Sequence, residues 1–324
     1  MIIILTSGIC EKISGGTIYN AKLYEFLAEK GQNVVVEVVA SINEYNFRNE
    51  VSYIIDGILI DENLNMIRLK EFKICFLIHL WPSINQTHLK SDTLIKIEKQ
   101  ICESFLIFIT GTVSSDYIND FIKPETKKYY LIEPGIDSGW KTKDHFKKKP
   151  QKIVYLANFI EGKGHVKLLK VAEKLRNLDF KIDCFGEILS ENYYLEMINQ
   201  SERFELKNIT FNKAVPHQQI NDLLLQYDLM LHFSDYESYG MAVMEAFSTH
   251  LPCIITPTGN YKKYQSIGFQ GVLKSFDIDE MINGVENTLI SPNRYLQLVQ
   301  SVKNIGIESW ETNFDLFLSK IEGL

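Results

Sequence analysis

Ser234-Asp-Tyr-Glu237-Ser-Tyr-Gly240-Met-Ala-Val-Met-Glu245-Ala-Phe-Ser-Thr-His-Leu-Pro252-Cys-Ile-Ile-Thr-Pro257 is the stretch that decides the fold. An apolar run, Leu229 to Phe233, enters it as a strand. A polar loop carrying Glu237 follows and closes at Gly240, and an apolar helix from about Met241 to Thr249 leads through Leu251-Pro252 into a second strand, Cys253 to Thr256. Strand, loop, helix, strand is the unit of an open parallel sheet, whose ligands bind at the carboxyl edge where the first-turn N–H groups of the helices point. Glu237 lies on the loop and Glu245 on the helix, so the two carboxylates reach different parts of one ligand rather than stacking on one helical face.

Outward from this stretch the alternation continues in both directions. Lys152-Ile-Val-Tyr-Leu-Ala157-Asn158-Phe-Ile-Glu161-Gly162-Lys163-Gly164-His165 runs from a strand through two glycines into an amphipathic helix. Such a turn cradles a phosphate with N–H groups, and Lys163 adds a positive charge. Phe180 to Phe185 is a strand ending at Gly186, Ile209 to Phe211 is a short strand, and Val215-Pro216-His217 opens a helix. His217 reads as a helix-start residue, and His232 alternates with the apolar side chains of its strand, toward the ligand edge. Residues 281–290, 292–300 and 310–321 read as helices.

The first half repeats the pattern. Ile2 to Leu5, a Ser14-Gly15-Gly16-Thr17 loop, a helix from Ile18 to Glu29 and a strand from Val34 to Val39 form its first unit. Gly15 and Gly16 either remove side chains where a backbone must approach something closely or form a plain helix-entry turn. The glycine spacing of a dinucleotide fingerprint is absent, which removes the main support for a nicotinamide or flavin enzyme. Val51 to Ile60 and Phe72 to His79 read as buried strands. His79 ends its strand, where its ring either is satisfied internally or meets a ligand at the sheet edge. Trp81, two residues on, forms a ligand wall or covers the domain edge. A helix from about Leu94 to Glu103, a strand Leu106 to Thr110 and a helix near Ser115 to Phe121 follow.

Bulk properties agree. The chain has 324 residues, 45% of them hydrophobic, enough for two cores, and a formal charge of -7 that gives no invitation to nucleic acid. The five cysteines, Cys10, Cys75, Cys102, Cys184 and Cys253, are an odd and scattered set that reads as reduced, and hence as cytoplasmic. No apolar stretch is long enough to span a membrane, and no His/Cys/Asp/Glu cluster has metal-ligand spacing. From Lys123 to Lys152 there are nine lysines and four acidic residues. That run is a solvated linker or a peripheral contact with an anionic membrane, at its inner face, or with an anionic acceptor.

Glu237-Ser-Tyr239-Gly240, Glu245-Ala246 and Pro252 together resemble the mark of one family, Glu-x-Phe-Gly, four residues, Glu-Ala, five residues, Pro, with Tyr239 for Phe. It belongs to the retaining glycosyltransferases of the two-Rossmann-domain (GT-B) fold with a Glu, seven residues, Glu motif. The resemblance covers the whole chain and is specific mainly from Ile153 to Pro257. It implies two facing Rossmann-like doubly wound α/β domains: residues 1–148 on the acceptor side, 149–305 binding the nucleotide sugar, and a returning helix, 306–324, anchored on the first domain by Trp310, Phe314 and Phe317.

The resemblance also implies roles. Glu237 reaches the donor sugar, Glu245 holds the ribose, and Tyr239, Gly240 and Met241 line the same site. Lys163 and Gly164 match the family's Gly-Arg, four residues, Lys-Gly diphosphate clasp, whereas Asn158 stands for its arginine and brings no charge. Gly15 and Gly16 face the donor diphosphate, Gly186 underlies the nucleotide, and His79 contacts the donor sugar. The implied reaction moves a sugar from a nucleoside-diphosphate sugar, with UDP the leading base, to a hydroxyl of a glycan, lipid-linked or protein acceptor in cell-envelope or other glycan synthesis. It uses no resident cofactor or metal. Two alternatives share the fold: a sugar-nucleotide epimerase or hydrolase, and a non-catalytic nucleotide-sugar-binding partner subunit.

Overall fold

Six parallel strands form the first sheet, in the order β2-β1-β3-β4-β5-β6. They are β1 (Ile2–Thr6), β2 (Val34–Val38), β3 (Ser52–Asp56), β4 (Lys73–Ile78), β5 (Leu106–Ile109) and β6 (Tyr129–Leu131). The computed structural model describes residues 1–7, 14–85, 91–125 and 128–322. Between the strands lie α1 (Gly15–Glu29), α2 (Met66–Leu69), α3 (Pro82–Asn85), α4 (Asp92–Ser104) and α5 (Thr112–Asp116), the last continued by a π-helical turn, Tyr117–Ile122. All five residues of β1 are buried, as expected of a strand covered on both faces.

Two local readings differ from expectation. Gly15 and Gly16 do not form a loop. They are the first residues of α1, whose N-terminus is closed by Ser14 and Thr17 in a reciprocal capping box. The apolar run Val51 to Ile60 is not one strand either. Asp56 ends β3 and its Oδ1 accepts the Ile58 N–H at 3.1 Å, turning the chain into a short 3-10 helix, Gly57–Leu59.

A second parallel sheet has the order β11-β10-β7-β8-β9. Its strands are β7 (Lys152–Leu156), β8 (Lys181–Gly186), β9 (Ile209–Lys213), β10 (Leu229–His232) and β11 (Cys253–Ile255). Its helices are α6 (His165–Lys174), α7 (Glu191–Arg203), α8 (Ile220–Leu224), α9 (Met241–Ser248), α10 (Tyr261–Ser266), α11 (Ile278–Ile290) and α12 (Pro292–Lys303). The chain builds outward from β7 to β9, then returns to place β10 on the other side of β7. That reversal is a topological switch point between the carboxyl ends of β7 and β10.

The chain divides into two compact units, Met1–Gly135 with Glu308–Leu324, and Ile136–Ile307. The stretch after Gly135 therefore packs with the second unit. Lys143 and Lys147 both pair with the buried Asp228, at 3.6 and 3.1 Å, and Lys141 pairs with Asp222 at 3.1 Å. These lysines of the basic run serve the fold, and Lys127 lies outside the described residues.

The last helix, α13 (Trp310–Ile321), returns to the first unit and lies on α1. Trp310 and Phe314 meet Tyr19 edge-on at 5.5 and 5.1 Å between ring centroids, and Phe317 meets Phe108 at 4.0 Å. Two Rossmann-like units with such a returning helix are the GT-B architecture. Among the described residues four cysteines are free and buried, Cys75, Cys102, Cys184 and Cys253, and Cys10 lies outside them. No described helix is long and apolar enough to cross a membrane.

Candidate active site

The switch point of the second unit brings together residues that are far apart in sequence. Lys163 sits in the turn between β7 and α6, and its Nζ lies 2.7 Å from Glu237 Oε1, on the loop after β10. The same oxygen accepts from Ser234 Oγ at 2.7 Å and from the His232 ring nitrogen Nε2 at 2.9 Å. Oε2 of Glu237 accepts nothing from the described residues. Burial by itself would raise the Glu237 carboxyl, but the Lys163 ammonium, then the His232 ring, outweigh it and hold the group well below the usual carboxylate range. Glu237 is 8% exposed, so this is a charge kept ionised inside the protein by its partners.

Backbone geometry holds these groups in place. Tyr155, on β7, donates its hydroxyl to Lys163 O at 2.6 Å and accepts the Phe233 N–H at 3.0 Å, tying the two loops to each other. Gly164 takes a left-handed conformation, φ +77°, and a Cβ there would lie 2.2 Å from Phe233 O. Gly240, φ +87°, starts α9, and its Cβ would strike the Tyr261 hydroxyl at 2.0 Å. Thr258 Oγ1 accepts the Glu237 N–H at 3.2 Å, supporting the loop from below. Tyr239 is buried and Met241 opens α9 beside it.

Glu245, on α9, is also buried, and its Oε1 lies 2.9 Å from His217 Nε2. His217 thus does more than start a helix, for it shares the carboxylate expected to meet the ribose. Asn158 uses its Oδ1 to accept the Glu187 N–H at 3.1 Å, bridging the ends of β7 and β8. Gly186 is required by close packing, since a Cβ would lie 2.1 Å from Ala157 O.

His79, in the first unit, directly follows β4. Its Nε2 lies 3.0 Å from Asn20 Oδ1 on α1, and its Nδ1 lies 3.4 Å from Thr110 Oγ1. Asn20 Nδ2 donates to Asp56 Oδ2 at 2.7 Å. Burial pushes the imidazole down from its ordinary value, against the pull of Asp56. Gly16 explains its missing side chain here: a Cβ would lie 3.1 Å from His79 Cδ2. Trp81 is fully buried among the core residues of this unit, as a cover and not an exposed wall.

Sequence reading singled out Glu237, Lys163, Glu245 and His79, and missed Tyr155, Ser234, Asn20 and Asp56. Only the polarity of Asn20 and Asp56 beside apolar runs hinted at them. Among the described residues no group of three or more His, Cys, Asp and Glu side chains gathers to hold a metal.

Residues 139–305 match the family described as Glycosyl transferases group 1. No curated protein matches the chain. Solved structures share its fold from end to end. Sucrose-phosphate synthase from Thermosynechococcus elongatus is 13% identical with a TM-score of 0.76, over 100% of this chain and 99% of that one. HepE from Anabaena, in complex with UDP-glucose, is 15% identical with a TM-score of 0.75, also over 100% and 99%. A glycosyltransferase from Rickettsia africae is 14% identical with a TM-score of 0.74, over 99% and 97%.

Proposed function

This chain belongs to the group 1 glycosyl transferases, and we propose that it moves a sugar from a nucleoside-diphosphate sugar to a hydroxyl acceptor with retention of configuration. The observation that carries the reading is the 2.7 Å pair between Lys163 and Glu237 at the carboxyl ends of adjacent parallel strands. It sets a cation and an anion side by side at one switch point, which supports reading the first for a diphosphate and the second for a sugar.

In this scheme the diphosphate meets the Lys163 ammonium and the first-turn N–H groups of α6 and α9. Growing negative charge on the leaving phosphate is stabilised there without reorganisation of the protein. Lys163 can turn from Glu237 to the phosphate because Ser234 and His232 still hold the carboxylate. Glu237 then offers Oε2 to the sugar hydroxyls and its charge to the oxocarbenium-like centre. It works as a single acid. A retaining glycosidase instead needs two carboxylates at the scissile bond, and here Glu245 is assigned to the ribose. The departing phosphate helps deprotonate the acceptor on the face it leaves. His79 is assigned to the transferred sugar and Asn158 to the diphosphate as a neutral donor. UDP is the first base to test, since a solved structure of this fold holds UDP-glucose.

The test is incubation with a panel of nucleotide sugars and with glycan, lipid-linked and protein acceptors, followed by NMR of the product anomer. A product with the donor's anomeric configuration is expected. An inverted product contradicts retention, and donor turnover equally fast without any acceptor contradicts transfer.

A further inference from the structure

The polar chain behind His79 has a direction. Asp56 receives three donors: the Ile58 N–H at 3.1 Å, Thr6 Oγ1 at 3.0 Å and Asn20 Nδ2 at 2.7 Å. A backbone N–H can only donate, and a carboxylate can only accept, so the amide of Asn20 must turn its NH2 to Asp56 and its oxygen to His79. An oxygen 3.0 Å from Nε2 demands a hydrogen on Nε2. Nδ1 faces the Thr110 hydroxyl at 3.4 Å, which can donate to it when the ring is neutral. From Asp56 through Asn20 to Nε2 every group has one role, and reversing any one of them sets two acceptors or two donors face to face.

From this geometry we propose that Asn20, oriented by Asp56, is a positioning residue that holds His79 as the neutral imidazole with its hydrogen on Nε2. Its purpose rests on the reading of the reaction given above: an uncharged ring beside the transferred sugar does not oppose the positive charge that develops there, whereas an imidazolium would. Around the ring, among the described residues, α1 contributes Tyr19 and Asn20, β5 leads into Thr110, and β3 ends in Asp56, the one charged group. The Tyr19 phenol is committed to Ile132 O at 3.0 Å and stays neutral, its hydroxyl pushed up by burial. Desolvation of the half-buried ring lowers its affinity for a proton, which agrees with the assignment.

Nitrogen NMR of the full chain, labelled with 15N-histidine, tests this directly, the His79 signals being assigned by their loss in His79→Gln. The expected result is a protonated Nε2, a bare Nδ1 and no titration near the ordinary histidine value of about 6.5. A hydrogen on Nδ1, or a ring that titrates near that value, overturns the proposal. Asn20→Asp combined with Asp56→Asn, which keeps an amide donating to the new carboxylate, sets that carboxylate against Nε2 and should raise the ring's pKa, moving the acid limb of the kcat profile to higher pH with nucleotide affinity within about threefold. A folded double variant with unmoved His79 titration overturns it as well. Asp56→Asn, which frees the amide to turn, should give mixed tautomers, and a single unchanged tautomer counts against the claim. If the tautomer is as stated but His79→Gln transfers at the wild-type rate, the positioning stands and the assignment of His79 to the sugar fails.

Discussion

Glu237 keeps a negative charge in a buried position because three donors share one of its oxygens, and the proposed scheme gives the other to the sugar. Replacing it by glutamine removes the charge while nearly preserving shape. Glu237→Gln should therefore lower kcat by about 10² or more, as expected for an interaction made mainly in the transition state, with nucleotide affinity kept or raised because Lys163 no longer has to leave a carboxylate. Steady-state kinetics and calorimetry check the two halves. The carboxyl is held below its ordinary value in the folded protein, so its charge persists as pH falls past about 4.3, the unfolded value, and is lost only on passing the lower, folded one. The pH profile of kcat/KM, which reports the free enzyme with Lys163 still on Glu237, should accordingly show no loss assignable to Glu237 at the ordinary glutamate value, which comparison with Glu237→Gln will show. Glu245→Ala removes a charged acceptor for the ribose and should weaken nucleotide binding at least tenfold, from about 1.5 to 3 kcal/mol for a charged hydrogen bond. These residues were legible in the sequence because spacing and neighbours mark them. Their partners were not: Tyr155 meets Phe233 across 78 positions and Asn20 meets Asp56 across 36, pairings that only the sheet order creates.

At the scale of elements, periodicity and glycine signals located most strands and helices, since buried parallel strands read as short apolar runs. They failed where a side chain redirects the backbone, as Asp56 does in ending β3, or where capping draws glycines into a helix, as Ser14 does at α1. The basic run shows a further limit. Charge counting cannot see that Lys143 and Lys147 converge on Asp228, which also accepts the Gln151 and Lys152 N–H groups at 3.0 Å each. Removing that buried acceptor leaves several donors unmatched, so Asp228→Ala should cost about 3 kcal/mol in denaturant unfolding. Burial favours the neutral acid there, but the N–H groups and lysines outweigh it, so the folded pKa is depressed. The stabilisation is present above the unfolded value of about 3.9 and is lost as pH falls through the folded one.

On the scale of the molecule, repeated strand–helix alternation suited two Rossmann-like units, and the family resemblance implied a returning helix with Trp310, Phe314 and Phe317 as its anchors. Phe314 is fully buried against Tyr19 and Phe26. Phe314→Ala should cost the first unit about 3 to 5 kcal/mol, seen as an early unfolding transition, while nucleotide binding by the second unit persists below it. The account as a whole depends on the switch point of that second unit being a diphosphate site whose side-chain charge comes from Lys163, with Asn158 a neutral helper. Calorimetric titration of the wild type and Lys163→Ala with a nucleoside diphosphate and with the corresponding nucleoside tests this most directly. A loss of at least tenfold for the diphosphate, with nucleoside affinity nearly unchanged, is the predicted result. Wild-type diphosphate affinity in a folded Lys163→Ala protein would contradict it.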